Sequence, residues 1–138
     1  MFKRILLATD GSPVVEREVL YAGHIARVDK AEVIVLHIYE LPERYATYSG
    51  YDELAEQYRT VSHALIDEAV QQLRTDGVEA RGELLLGSPA EAIINAALEY
   101  DVDLIIMGTR GSSNLKEILG SVSTQVLRHS RCPVLQIP

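Results

Sequence analysis

The sequence predicts an α/β protein, a three-layer α/β/α sandwich built on a five-stranded parallel sheet. Three observations predict it. Five short apolar runs recur along 138 residues: "RILLAT" (4–9), "VIVLHIY" (33–39), "VEARGELLL" (78–86), "DLIIMG" (103–108) and "PVLQI" (133–137). Stretches with the apolar spacing of amphipathic helices separate them. Strands joined by crossovers of that length run parallel with right-handed connections, which brings helices onto the sheet's faces.

The first, second and fourth runs are almost continuous in Ile, Leu and Val, as strands covered on both faces are. After the first run, Ser12-Pro13 supplies an N-cap and a proline at the first helical position. Val15, Val19, Ala22 and Ala26, at i, i+4, i+7 and i+11, then give the first helix its apolar face. The connection "ELPERYATYSGY" (40–51) is longer than the usual two to six residues of a strand-to-helix loop. Its Tyr45, Tyr48 and Tyr51 have two uses, packing over the second helix or covering a bound base. Leu54, Tyr58, Val61, Leu65 and Ala69 predict the second helix's buried stripe, and Asp76-Gly77 its stop. The third run alternates with charge through Glu79, Arg81 and Glu83, the pattern of an edge strand. Ser88-Pro89-Ala90-Glu91 predicts a capping box ahead of the third helix. No internal repeat, low-complexity segment or linker interrupts the order, so residues 1–138 read as a single domain.

Composition narrows the function classes. Apolar residues make up 47% and charged residues 24% of the chain, as in an ordinary soluble globular protein. No apolar run approaches the roughly 20 residues of a membrane span, and the N-terminus lacks the pattern of a secretory signal, so the expected location is the cytoplasm, away from membranes. The single cysteine, Cys132, excludes an intrachain disulfide and reads as a partly buried thiol before Pro133. His24, His37, His63 and His129 lack metal-ligand spacing, and His37, inside a strand, reads as a core imidazole. A net charge of −7 argues against a nucleic-acid binder. The charge is uneven: residues 1–103 hold 9 Lys+Arg and 19 Asp+Glu (−10), residues 104–138 hold 4 and 1 (+3). An anion meets least repulsion in the last quarter of the chain.

In an open parallel sheet, ligands bind outside the carboxyl ends of the strands where strand order reverses. The stretch "GTRGSSNLKEILGS" (108–121) leaves such an end. Gly108 and Gly111 allow close backbone approach, Gly120 can take a positive φ, and a helix beginning near Ser121 adds free amides, with hydroxyls from Ser121 and Ser123. The stretch matches neither the P-loop nor the GxGxxG fingerprint. From the residues alone it is equally a plain turn with a helix cap. Asp10 before Gly11 likewise reads as a rim carboxylate or a turn opener, and Arg110 and Lys116 as phosphate contacts or solvated charges. Ile38 and Met107 read as core positions first. No GxSxG elbow appears, and Asp10 is the one obvious rim candidate for positioning a proton or water, so binding outranks catalysis.

"GTRGSSNLKEILGSVS", with "ILLATDGS" near the start, "VLHIYE" closing the second run and "VLRHSRCPVLQIP" at the end, resembles the universal stress protein family, whose signature is G-2x-G-9x-G-[ST]. The resemblance, to the ATP-binding branch and UspA-like proteins, covers essentially the whole chain. Here eight residues, Ser112 to Leu119, stand between Gly111 and Gly120 in place of nine. It implies an adenine nucleotide alpha hydrolase-like fold with strand order 3-2-1-4-5. It also implies Asp10 beside the ribose and adenine, the Ile38 backbone at the adenine edge, and Gly108, Arg110 and Gly111 under the ribose and phosphates. Gly120, Ser121, Val122 and Ser123 would surround the triphosphate, with Ala8 and Met107 packed alongside. The implied ligand is ATP with Mg²⁺, and the implied assembly a homodimer paired through the last strand at Val134 and Ile137. Under this resemblance the leading expectation is a nucleotide-dependent stress-response module. Slow ATP hydrolysis or autophosphorylation at Ser121 or Ser123, and an interaction module without nucleotide, are the alternatives.

Overall fold

The computed structural model describes residues 1–9, 15–40, 46–109 and 121–138. Among the described residues nine elements alternate: β1 (Arg4–Thr9), α1 (Val15–Asp29), β2 (Glu32–Tyr39), α2 (Tyr51–Thr75), β3 (Ala80–Leu86), α3 (Pro89–Glu99), β4 (Leu104–Gly108), α4 (Ser121–His129) and β5 (Val134–Ile137). The strands form one parallel sheet in the order β3-β2-β1-β4-β5. Both the element order and the strand order agree with the expectation.

The period-2 alternation of the strands divides their apolar side chains between two cores. Ile5, Leu7, Val33, Val35, Leu104 and Ile106 point to the face covered by α1 and α2. Leu6, Ala8, Ile34, Leu36, Ile105 and Met107 point to the face covered by α3 and α4. Helices change face where the chain turns back across β1, so β1 and β4 become neighbours at a topological switch point. That reversal fixes where a ligand crevice belongs.

Local chemistry departs from expectation at three places. The buried face of α2 consists of Ala55, Ser62, Ile66, Ala69, Val70 and Leu73, whereas Leu54, Tyr58 and Val61 are exposed. Of the predicted stripe, Ala69 is buried and Leu65 half-buried. The cause is close packing against β3: a Cβ at Gly82 would fall 2.2 Å from Ile66 Cγ2, so this glycine lets α2 approach, and small helix residues meet the sheet. At α3, Ser88 is the N-cap and Pro89 opens the helix, but the serine side chain makes no capping hydrogen bond. Ser88 is exposed, which leaves solvent to serve the first amides, and the start is set by the proline's φ and by Ala92 N–H donating to the Ser88 carbonyl at 2.9 Å. The predicted stop of α2 holds: Gly77 takes φ 84 and donates to the Arg74 carbonyl.

The third departure lies at β5. Ile137, expected at an interface, is 1% exposed and packs into the α1/α2 core of its own chain. Val134 is half-buried against the α3/α4 core. A four-residue edge strand needs both faces of its side chains for the interior, because β4 supplies its one neighbour. Any pairing across this edge would therefore use backbone groups and Val134, not the Ile137 side chain. β3 forms the opposite edge, and its exposed Arg81 and half-buried Glu83 carry the charges expected there. Cys132 is half-buried, its thiol 3.5 Å from the Ser130 hydroxyl.

Candidate nucleotide site

The tips of β1 and β4 lie side by side, with Leu7 paired to Ile106. One residue further on, Ala8 and Met107 are both buried, 6% and 5% exposed, on the α3/α4 face. Ile38, near the end of β2, packs against this same cluster, and so does Val122 in the first turn of α4. Gly108, half-buried, ends β4. Sequence positions spread over 115 residues, from Ala8 to Val122, thus converge on one corner of the sheet. These apolar groups form the buried floor of that corner on the α3/α4 face.

At the same end of the sheet, on the opposite face, a hydrogen bond ties β1 to β2. His37 is buried, and its Nδ1 lies 3.0 Å from the Thr9 carbonyl across the paired tips of β1 and β2. A carbonyl only accepts, so Nδ1 carries the proton. The bond fixes the last residue of β1, immediately before Asp10. The core reading of His37 holds, and the imidazole has a definite task there. Thr9 itself is buried, 8% exposed.

The start of α4 is where backbone donors become available to an anion. Ser121 is exposed at the first helical position, whereas Ser123 is 5% exposed and donates from Oγ to the Thr109 carbonyl at 3.5 Å. The two hydroxyls therefore differ in kind: Ser121 faces solvent, and Ser123 is part of the packing. No carboxylate opens the helix, so its positive end is not neutralised from within the first turn.

Ala8, Ile38, Met107, Gly108, Ser121, Val122 and Ser123 are placed at this corner. Asp10, Arg110, Gly111 and Gly120 lie outside the described residues, as do Lys116, Tyr45 and the predicted cap Ser12-Pro13. Of the other loop tyrosines, Tyr48 is 64% exposed and Tyr51 is half-buried at the start of α2. Two contributors escaped the sequence reading. Thr109 donates its N–H to the Ile137 carbonyl at 3.0 Å, and Gln136 Nε2 donates to the Ser123 carbonyl at 3.0 Å. Gln136 had left one signal, a lone polar residue in an otherwise apolar final strand.

Comparison with known proteins agrees with this architecture. The chain matches the Universal stress protein family over residues 1–138. It is 37% identical over 139 residues to a universal stress protein of Thermus aquaticus, encoded in the QAH/OAS sulfhydrylase 3′ region, covering 99% of each chain. The solved structure of MJ0577 from Methanocaldococcus jannaschii superposes with a TM-score of 0.86 at 32% identity, over 99% of this chain and 96% of that one. Two further structures carry ligands. A universal stress protein in complex with cAMP gives a TM-score of 0.76 at 26% identity, covering 99% and 96%. One from Archaeoglobus fulgidus in complex with dAMP gives 0.71 at 25%, covering 99% and 98%. The chain belongs to the universal stress protein family. Some of its structural relatives bind adenine nucleotides. Among the described residues, no helix is long and apolar enough to cross a membrane.

Proposed function

We propose that this protein binds ATP, with Mg²⁺, at the crevice between the tips of β1 and β4, and serves as a nucleotide-dependent regulatory module in the stress response of the cytoplasm. The observation that carries the reading is the convergence of Ala8, Met107, Ile38 and Val122 on one apolar floor beside the unneutralised start of α4. A flat base stacks on such a floor, while amides and the Ser121 hydroxyl meet the negative end. The cAMP and dAMP complexes of relatives support the adenine half of the claim. The positive balance of residues 104–138 supports the polyphosphate half.

Among the described residues, no group of three or more His, Cys, Asp or Glu side chains could hold a metal ion. Magnesium suits such a site because it keeps several waters and binds chiefly through the nucleotide's own phosphates. When bound it offsets phosphate charge, and the chain's part is to position the phosphates by backbone amides and the Ser121 hydroxyl. Asp10, Arg110, Gly111 and Gly120 complete the proposed contacts. The proposed assembly is a homodimer paired along the backbone edge of β5, which would hide an otherwise open sheet edge. Bound ATP would stabilise the folded chain by mass action and bias the surfaces it offers to partners.

Isothermal titration with ATP and Mg²⁺ tests the reading. Saturable binding to the wild type, weakened at least tenfold in a Gly120→Val variant, is the expected result. No binding heat with ATP, AMP or cAMP, together with no nucleotide in acid extracts of freshly purified protein, would overturn it.

A further inference from the structure

β4 and α4 are joined by residues 109–120, and the chain on both sides of that connection is tied to the last strand. At the entry, the Ile137 carbonyl accepts the Thr109 N–H at 3.0 Å. At the exit, the Gln136 side-chain amide donates to the Ser123 carbonyl at 3.0 Å. Ser123 Oγ reaches back to the Thr109 carbonyl at 3.5 Å, linking exit to entry. Side chains two apart on a strand share a face. Val134, two residues before Gln136, packs on the α3/α4 core. Gln136 therefore occupies a position where an apolar side chain would serve packing equally well, and its polar end is spent on one backbone carbonyl of α4. Ser123 is buried and Gln136 half-buried, so this bond is partly shielded from water and holds the helix more firmly than a fully exposed one would.

We infer that Gln136 is a positioning residue for the phosphate end of the site, setting the first turn of α4 against the tip of β4. The inference rests on the nucleotide reading above. Amides at a helix start grip an anion only when held within about half an ångström of the productive geometry. Here the apolar packing of Val122 locates the helix laterally. The Gln136 amide and the Ser123 hydroxyl fix its height above Thr109. Loss of the amide donor leaves the floor under the base untouched and loosens the phosphate end.

Two variants separate positioning from general damage. Gln136→Met keeps length and volume without the donor. Gln136→Glu keeps the shape but sets a carboxylate oxygen against the Ser123 carbonyl at neutral pH, and regains an O–H donor when protonated. For Gln136→Met, titration with ATP and Mg²⁺ should show binding about fivefold to tenfold weaker, as expected for one lost hydrogen bond. Adenosine, which lacks phosphates, should change by less than about twofold on the same scale. Relative to wild type at pH 7.5, Gln136→Glu should bind ATP at least as weakly as Gln136→Met, because its ionised carboxylate cannot donate to the Ser123 carbonyl. Without nucleotide, amide hydrogen exchange at Gln125, Val126 and Leu127, the first amides bonded back to the opening turn of α4, should accelerate in Gln136→Met. Equal ATP binding by wild type and Gln136→Met would overturn the inference, as would parallel losses for ATP and adenosine. Unchanged exchange at these amides would overturn it independently of any ligand. A wild type that binds no adenine nucleotide would instead remove the reading on which it stands.

Discussion

At the amino ends of the strands the chain is tied by charge. Asp103 accepts from the backbone amides of Lys3 and Arg4 at 2.9 and 3.1 Å, Asp29 accepts from Phe2 N–H at 2.8 Å, and the Arg4 guanidinium reaches Glu32 and the Tyr100 carbonyl. At the carboxyl ends the described ties are neutral and bridge neighbouring elements: His37 to Thr9, Thr109 to Ile137, Gln136 to Ser123. Charge-assisted bonds to fixed amides are stronger than neutral ones, so the amino end of the sheet is closed firmly. Neutral ties at the other end position the chain, and the first turn of α4 carries no acidic residue. Under the proposed nucleotide reading, stability and recognition fall at opposite ends of the same strands.

The largest expected effect falls at the amino end. Asp103→Ala removes both amide contacts and should cost about 2 kcal/mol of folding stability, allowing for partial exposure. Urea unfolding would measure it. ATP affinity, measured well below the unfolding transition, should stay within about twofold. A tenfold loss of affinity would show that the two ends are not separable.

The middle of the range is His37. Replacing it with Leu removes the donor to the Thr9 carbonyl and should cost about 1 kcal/mol, with ATP binding weakened because the end of β1 loses its anchor. His37→Asn, whose side-chain amide can donate from nearly the place of Nδ1, should recover most of the binding. Nitrogen-detected NMR should find the Nδ1 proton on this imidazole throughout the neutral range. A ring protonated at Nε2 alone would break the account of this tie.

These contrasts explain which parts of the molecule could be read from sequence. β1, β2 and β4 are legible because burial on both faces forces near-continuous Ile, Leu and Val. The buried face of α2 is not, since its contact with β3 depends on the absence of a side chain at Gly82 and on small residues such as Ala55, Ser62 and Ala69. Large residues at Leu54, Tyr58 and Val61 then carry the more visible periodicity while pointing outward. At the site, glycines and serines mark the stretch after β4, yet the ties that locate it come from Gln136 and Ile137, thirteen or more residues beyond Ser123 along the chain. Local spacing leaves anion binding and a plain capped turn equally open. It does not reveal long-range hydrogen bonds, nor that Ile137 would be claimed by the core.

The smallest effect tests the charged end at high pH. Tyr100, which closes α3 beside the Arg4 contact, has its phenol held above the usual value of 10.0, first by burial, then by the carboxylates of Glu83 and Glu99. The Arg81 guanidinium, 5.3 Å from the ring centroid, acts in the opposite direction. Because the folded-state value is the higher one, the unfolded chain gives up this proton first as pH rises. The contribution to stability is therefore complete below about pH 10, the unperturbed value, and is lost as pH climbs through the folded value. Tyr100→Phe should show a shallower decline of the urea midpoint between pH 9.5 and 11.5 than wild type. The other ionisable groups are common to both proteins, so the difference between the two curves isolates this phenol. Superimposable curves would mean that the ring is solvated more fully than its packing against the α3/α4 core implies. The floor of the sheet would then owe its strength to the Asp103, Asp29 and Arg4 contacts without help from the phenol.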